Sequence, residues 1–516
     1  MSSGPADAGP VETVKAGLKG GLAWGAIGVA SGRALQFVTM LVLARILAPE
    51  HFGALAVAQV IQAIAVNVTE LGATAALARG DRDPHEIAPT ILTLGLVTSA
   101  VITGGVVILA PTLANLMGDP GAVGVIQILA ITILLSGCSG VPAAMVWRNY
   151  LQRPRAFIEV AGAALTLAAA IPMAQDGMGA YALVWSRVAG QVLSTIGYWI
   201  ITPTRFRPGF DRAAAAYVLR LGLPLALANL VVFATLNLDY VIVGRQLGPA
   251  ELGVYLLAFS LANLPSSLIT AIIRTVAVPT FGRLHKAGLL DQAAPDVLAL
   301  AAFLAMPISA LLVALAGPIV QVLYGPTWQG AAAAMIGLGI FGAGRIVSEI
   351  LADLCVGGGR TAGLFWVQML WLTCLIPALL TGVSSSGVGG AGMAHAVVIW
   401  LAVLPVYFFL VGRVIKTSVK RMLAPSFVPL GAAAGAGTIS WLASNWVTPP
   451  FLALACGCLA GIVLYLALTL RAARRTYSRL RLLSDTGPDQ GERPEVEAAP
   501  PPTTTIAVQT TTRSPN

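Results

Sequence analysis

Uncharged apolar runs of about 20 residues recur along most of this chain, and about 20 apolar residues is the length an α-helix needs to cross a bilayer's hydrocarbon core. Runs of this kind exclude a soluble globular fold. They also exclude a single water-filled β-barrel, whose strands alternate apolar with polar residues. Of the 516 residues, 57% are hydrophobic and only 10% are charged, against about 25% charged in an ordinary soluble domain, and the mean hydropathy is +0.82. The expected fold class is an all-α polytopic membrane protein.

Charge clusters and Gly/Pro-rich joints divide the chain into apolar segments near 21–45, 54–78, 88–110, 123–145, 157–173, 181–201, 221–244, 253–273, 297–323, 331–351, 362–380, 391–411, 426–446 and 451–470. This predicts about fourteen transmembrane helices. The first run lacks a small-residue cleavage site and is too long for a signal-peptide core, so it is expected to remain as the first helix. With the N-terminus inside, 26 of the 31 Lys and Arg residues fall on cytoplasmic stretches, and only Arg45 and Arg245 fall outside. That asymmetry follows the positive-inside rule and predicts a plasma (inner) membrane protein with both termini cytoplasmic. The net charge of +9 is thereby accounted for without a nucleic-acid partner.

The motif LARILAPEHFG at 43–53 returns as VGRQLGPAELG at 243–253, so that Arg45, Leu47, Pro49 and Gly53 match Arg245, Leu247, Pro249 and Gly253. Each copy lies where the first helix of a six-helix block turns into the second, and an even block length makes the repeats parallel. The expected organisation is a cytoplasmic N-terminal segment 1–20, a six-helix half 21–201, a cytoplasmic linker 202–220, a second six-helix half 221–411, two additional helices 412–470, and a basic then disordered tail 471–516. Within that tail RAARRTYSRLRLL is a basic amphipathic stretch suited to the inner leaflet, followed by a Pro/Thr-rich segment.

LARILAPEHFGALAVAQ, with NVTELGATAALARGDRD after it, resembles the N-terminal signature of the polysaccharide transporter branch of the multidrug/oligosaccharidyl-lipid/polysaccharide exporter superfamily. The resemblance covers roughly residues 15–475. It implies flipping of polyprenyl-diphosphate-linked oligosaccharide from the inner to the outer leaflet for cell-surface polysaccharide synthesis. It also implies membrane lipids and polysaccharide assembly proteins as further partners.

Charges inside the spans are the informative residues, because each costs about 2.5–3.5 kcal/mol at the bilayer centre even on the lenient insertion scale. Arg33 with Gln36, Arg187 with Gln191, and Arg345 form the expected cargo-binding set: a guanidinium stays charged and grips phosphate oxygens bidentately. The spacing of Arg345, Glu349 and Asp353 also allows Glu349 simply to neutralise Arg345. Candidate ion-coupling residues are Glu70, Asn229, Asn237, Asp239, Glu349 and Asp353, with Asp239, Asn237 and Asn229 read as one cluster. The same polar residues also suit packing between helices.

The sequence has no G-x-x-x-x-G-K-[ST] loop, and its five cysteines and four histidines show no ligand spacing, so neither a cofactor nor a metal is expected. Asp81-Arg82-Asp83 matches a metal-holding D-x-D pattern but reads as a solvated turn. The pairs Gly28/Gly32 and Gly431/Gly435 read as internal helix contacts. The chain is therefore expected to be a secondary transporter rather than an enzyme. The alternatives are a multidrug exporter of the same superfamily, whose cargo is often cationic, and a membrane-embedded polymerase or ligase. The short, cation-poor outer loops disfavour the polymerase or ligase.

Overall fold

A computed structural model describes residues 10–70, 77, 83–149, 151–202, 206–286, 290–357, 362–415 and 417–485. Its helices are α1 (Pro10–Ala44), α2 (Pro49–Glu70), α3 (Pro84–Leu116), α4 (Val123–Arg148), α5 (Gln152–Gln175), α6 (Ala180–Ile201), α7 (Arg212–Leu247) and α8 (Pro249–Lys286). They continue as α9 (Leu290–Ala314), α10 (Ala316–Leu323), α11 (Gly330–Gly357), α12 (Ala362–Val398), α13 (Leu404–Ile415), α14 (Val419–Leu423), α15 (Phe427–Asn445) and α16 (Pro450–Asp485). No strand occurs among the described residues, and nine of their helical stretches are long and apolar enough to cross a membrane. Ile108, Leu401, Trp366 and Phe451 are each more than two-thirds exposed, an outer surface suited to lipid rather than water.

Local chemistry sets the ends and breaks of these helices. Asp83 caps α3, its Oδ1 accepting from the His85 amide at 2.9 Å with Pro84 in the first turn, so this part of the D-x-D pattern serves as a helix cap. Asp81 and Arg82 lie outside the described residues. Asp211 caps α7 in the same way, accepting from the Ala214 amide at 2.7 Å.

The apolar segment 297–323, expected as one helix, is broken at Leu315. Pro318 has no N–H to give the Ala314 carbonyl, and α10 starts afresh. Segments 362–380 and 391–411 nearly meet instead of being separated by a ten-residue loop. Only Ser386 and Gly387 leave helical geometry, and the φ of 57° at Gly387 is a left-handed turn that suits glycine.

The two copies of the repeated motif face each other. Helices α2 and α8 cross so closely that a Cβ on Gly53 would collide with the Pro249 carbonyl, and one on Gly253 with the Pro49 carbonyl. Around this reciprocal contact a seam joins the halves. Phe52 and Trp328, both buried, meet edge to face at 5.2 Å, and Trp328 Nε1 donates to the Ala44 carbonyl at 2.8 Å. Arg45 donates through Nε to the Leu323 carbonyl at 3.0 Å and through Nη2 to Val322. It thus places a cation on the open carbonyls at the end of α10, where the helix dipole favours one.

The added pair α15 and α16 packs against α9, with Tyr465 donating to the Phe303 carbonyl at 3.0 Å. Of the pair Gly28/Gly32, Gly28 presses on Ala156, as an internal contact would, whereas Gly32 has open space where its Cβ would be. Gly431 and Gly435 have open space where their Cβ atoms would be, so among the described residues this pair makes no internal helix contact.

Candidate functional site

Beside the seam lies a cavity of about 820 Å³, lined from both α2 and α8 as well as from α1, α6 and α11. Arg33, Gln36, Arg187, Gln191 and Arg345 all line it. Arg33 and Gln36 are three residues apart on α1 and share one face, and Arg187 and Gln191 are four apart on α6 and do the same. Gln59 and Gln62 on α2, Glu159 on α5 and Asn263 on α8 complete much of the polar wall. None of these four belongs to the cargo-binding set expected from the sequence. The two glutamines at i and i+3 inside an otherwise apolar span were the readable sign, because an amide there must face a partner or water.

The three guanidinium groups are not equivalent. Arg345 is held by Glu349, Nε to Oε1 at 3.0 Å, and by Asn263 Oδ1 at 2.5 Å. The neutralising pair allowed by the spacing is therefore formed, and it stands in the cavity wall. Arg187 points both terminal nitrogens at the Gln59 side-chain oxygen when that amide is turned to accept them. Arg33 is half-buried, with no hydrogen bond or ion pair to another described residue. The carboxylate of Glu159 is already taken by Arg155 at 2.8 Å and by the Tyr198 hydroxyl at 3.3 Å. Among the described residues, two cations, Arg33 and Arg187, thus face the cavity with no carboxylate to neutralise them. Such groups bind an anion with bidentate, charge-assisted hydrogen bonds.

The coupling candidates are placed differently. Asn229 is exposed, and Asn237 turns back to donate to the Phe233 carbonyl at 2.8 Å. The structure does not gather them with Asp239: Asn237, two residues before it on the helix, points to a different side, and Asn229, ten residues before it, is exposed. Asp239 is fully buried and accepts from the Tyr255 hydroxyl at 2.7 Å and the Tyr240 amide at 3.0 Å, with His395 Nε2 at 3.3 Å. His395 was not a sequence candidate, since a lone histidine 156 residues away carries no spacing signal. Glu349 is committed to Arg345, Asp353 is buried on α11 outside the cavity lining, and the side chain of Glu70, at the end of α2, lies outside the described residues.

Against known proteins, residues 42–333 match the family described as polysaccharide biosynthesis protein. The chain is 26% identical over 469 residues to the succinoglycan biosynthesis transport protein ExoT of Rhizobium meliloti (strain 1021), covering 89% of this chain and 93% of that one. It is 23% identical to the lipopolysaccharide biosynthesis protein WzxC of Escherichia coli (strain K12), covering 79% and 84%. Among solved structures it resembles the lipid II flippase MurJ in an inward closed conformation, with a TM-score of 0.72 and 14% identity over 87% of this chain and 99% of that one. It also resembles an inward-facing multidrug resistance MATE transporter, with a TM-score of 0.59 and 17% identity over 76% and 95%. These two likenesses show a shared fold. With a family match running through more than half of its length, the chain belongs to the polysaccharide biosynthesis protein family.

Proposed function

We propose that this protein is a secondary transporter that flips polyprenyl-diphosphate-linked oligosaccharide from the inner to the outer leaflet for cell-surface polysaccharide synthesis. The observation that carries the reading is the convergence of guanidinium groups from α1, α6 and α11 on one cavity, two of them without a neutralising carboxylate. A diphosphate brings at least two negative charges, and each costs several kcal/mol to bury without a partner. The names of the relatives, a succinoglycan transport protein and a lipopolysaccharide biosynthesis protein, support a saccharide cargo.

In this reading the halves 21–201 and 221–411 rock about the α2–α8 contact, and 412–470 supplies two further helices. The seam at Arg45 is the outer gate, and the termini lie in the cytoplasm of a plasma (inner) membrane protein. The orientation rests on the distribution of Lys and Arg. A drug exporter shares the fold, but a cationic drug entering this cavity would meet Arg33 and Arg187.

Arg33→Ala tests the reading. Surface polysaccharide should disappear and lipid-linked precursor accumulate while membrane abundance stays near normal. Arg33→Lys should recover only part, because an ammonium keeps the charge and loses the fork. Normal abundance with no build-up of precursor would remove Arg33 from the cargo path.

A further inference from the structure

A second polar centre lies inside the C-terminal half, closed off from the cavity. Asp239 of α7 and His395 of α12 are 0% and 3% exposed, an unusual depth for two ionisable side chains. Phe341 and Phe259 stand against the imidazole, with ring centroids at 5.0 and 6.3 Å. The titratable neighbours are Tyr240 on α7 and Tyr255 on α8. From α11 come Phe341 and, one turn on, Arg345 with its partner Glu349; among the described residues α12 adds only His395. One polar atom is left over: His395 Nδ1 is buried and has no hydrogen-bond partner. Such an orphan is costly in a packed interior and calls for an explanation.

The centre is not wholly isolated. A crevice of about 10 Å³, close to the room one water molecule requires, runs between α8 and α11. Phe259 and Phe341 line it at the His395 side, and Asn263 and Arg345, which also line the cavity, at the other.

We propose that His395 and Asp239 form the coupling site of the transporter and that its ligand is a proton, exchanged with the cavity through this crevice. The proposal rests on the transporter reading above. With the imidazole neutral, its Nε2–H, the Tyr255 hydroxyl and the Tyr240 amide all donate to the Asp239 carboxylate, and the centre carries one negative charge. A proton binding the lone pair at Nδ1 makes an imidazolium paired with the carboxylate, and the centre becomes neutral. No other bond changes. Unloading returns the proton from Nδ1 and restores the buried charge, so the two states differ by one elementary charge in a dry interior, where that difference matters most. Sodium fits poorly. The carboxylate lone pairs already accept N–H and O–H donors, and aromatic rings rather than a shell of oxygens surround them.

The test uses the full chain in detergent with 15N-labelled imidazoles and needs no cargo. Only four histidines are present, so the signal missing in His395→Gln identifies His395. That signal should respond to pH as the proton binds and leaves. Its midpoint should fall by about one unit or more in Asp239→Asn, which removes the facing anion. It should rise in Tyr255→Phe, which removes a donor competing for that anion. Replacing choline chloride with sodium chloride at equal ionic strength should leave it unchanged. A flat signal, a midpoint that neither variant moves, or a sodium-dependent midpoint would overturn the proposal. Tyr255→Phe loses one hydroxyl and keeps the ring, so the comparison survives if Asp239→Asn does not fold. The Arg33 experiment reads the flippase assignment separately, so the failure of either idea is visible on its own.

Discussion

Gly179 and Gly387 have nearly the same backbone geometry, φ 56° and ψ −128° against φ 57° and ψ −139°, and each opens a helix. Eight residues on from the one stands Arg187, and eight on from the other His395. The spacing of the repeated motif likewise pairs Gln59 with Phe259 and Thr39 with Asp239. At matching places in the two halves, then, one side carries Thr39, Gln59 and Arg187 on the cavity wall. The other carries Asp239, Phe259 and His395 in a centre away from water. The two glycine turns repeat in backbone and the positions that follow them diverge in chemistry: a polar wall bearing fixed cations faces the large cavity, while a buried Asp–His pair sits in the closed space. An arginine cannot lose its proton in the working pH range and a histidine can, so the two positions are suited to gripping an anion and to exchanging a proton.

The largest expected effect tests what the halves share. Gly53→Val and Gly253→Val each drive a branched side chain into a backbone carbonyl of the opposite repeat, where no flexible group is available to yield. Each should cost about 3 kcal/mol or more, at or above the upper range for overpacking. Membrane abundance should fall steeply and about equally in both variants. If only one variant suffered, the reciprocal contact would not be what joins the halves.

Next comes what they do not share. Arg187→Ala removes a charge-assisted contact of about 1.5–3 kcal/mol, so flipping should slow by about tenfold or more with abundance preserved, since Gln59 is an uncharged amide left beside the cavity. His395→Ala should leave the cavity charge unchanged and instead uncouple flipping from the pH gradient. Lipid-linked precursor measured with and without a protonophore separates the two. Equal sensitivity to the protonophore in both variants would erase the division of labour.

A smaller effect is expected at Arg345, which belongs to both environments. Arg345→Ala strands Glu349, whose Oε2 is already buried without a partner. The cost should be less than the about 3–5 kcal/mol of a fully dry pair, because the two side chains are 20% and 25% exposed. Adding Glu349→Gln should restore abundance. If it does, any flipping defect that persists in the double variant belongs to the cavity.

How much of this was readable in advance follows from the range of each interaction. Apolar runs, caps such as Asp83 and the cationic set depend on local spacing and on the cost of burying a charge, and these stand in the sequence itself. The break at Leu315 also stands there, in Pro318, which cannot continue the helix's hydrogen bonds. The Asp239–Tyr255–His395 centre is different. It joins three helices, and its nearest sequence neighbours, Asn237 and Asn229, turned out to face elsewhere. The reciprocal collision at Gly53 and Gly253 was visible only as a repeat, because nothing in one copy of the motif says that it packs on the other.

The smallest effect concerns the motif arginines, identical in sequence and unlike in use. Arg45 donates to two carbonyls at the end of α10 across the seam, whereas Arg245, its counterpart, has no hydrogen bond or ion pair with another described residue. Arg45 is exposed, so water screens it and its latch is worth only about 1 kcal/mol, in line with a cation near a helix C-terminus. That is still about fivefold in an opening equilibrium. Gln36→Cys, in a chain otherwise free of cysteine, places a thiol on the cavity wall, and an impermeant thiol reagent added to intact cells reads how often the seam, which faces outward in the proposed orientation, parts. Arg45→Ala should raise the labelling rate by about fivefold, while Arg245→Ala should leave it within error of the parent. Equal increases would mean that the two arginines seal the seam together. No increase in either would move the proposed outer gate away from the repeated motif and onto the Phe52–Trp328 contact, where Trp328→Ala would then be the variant that opens it.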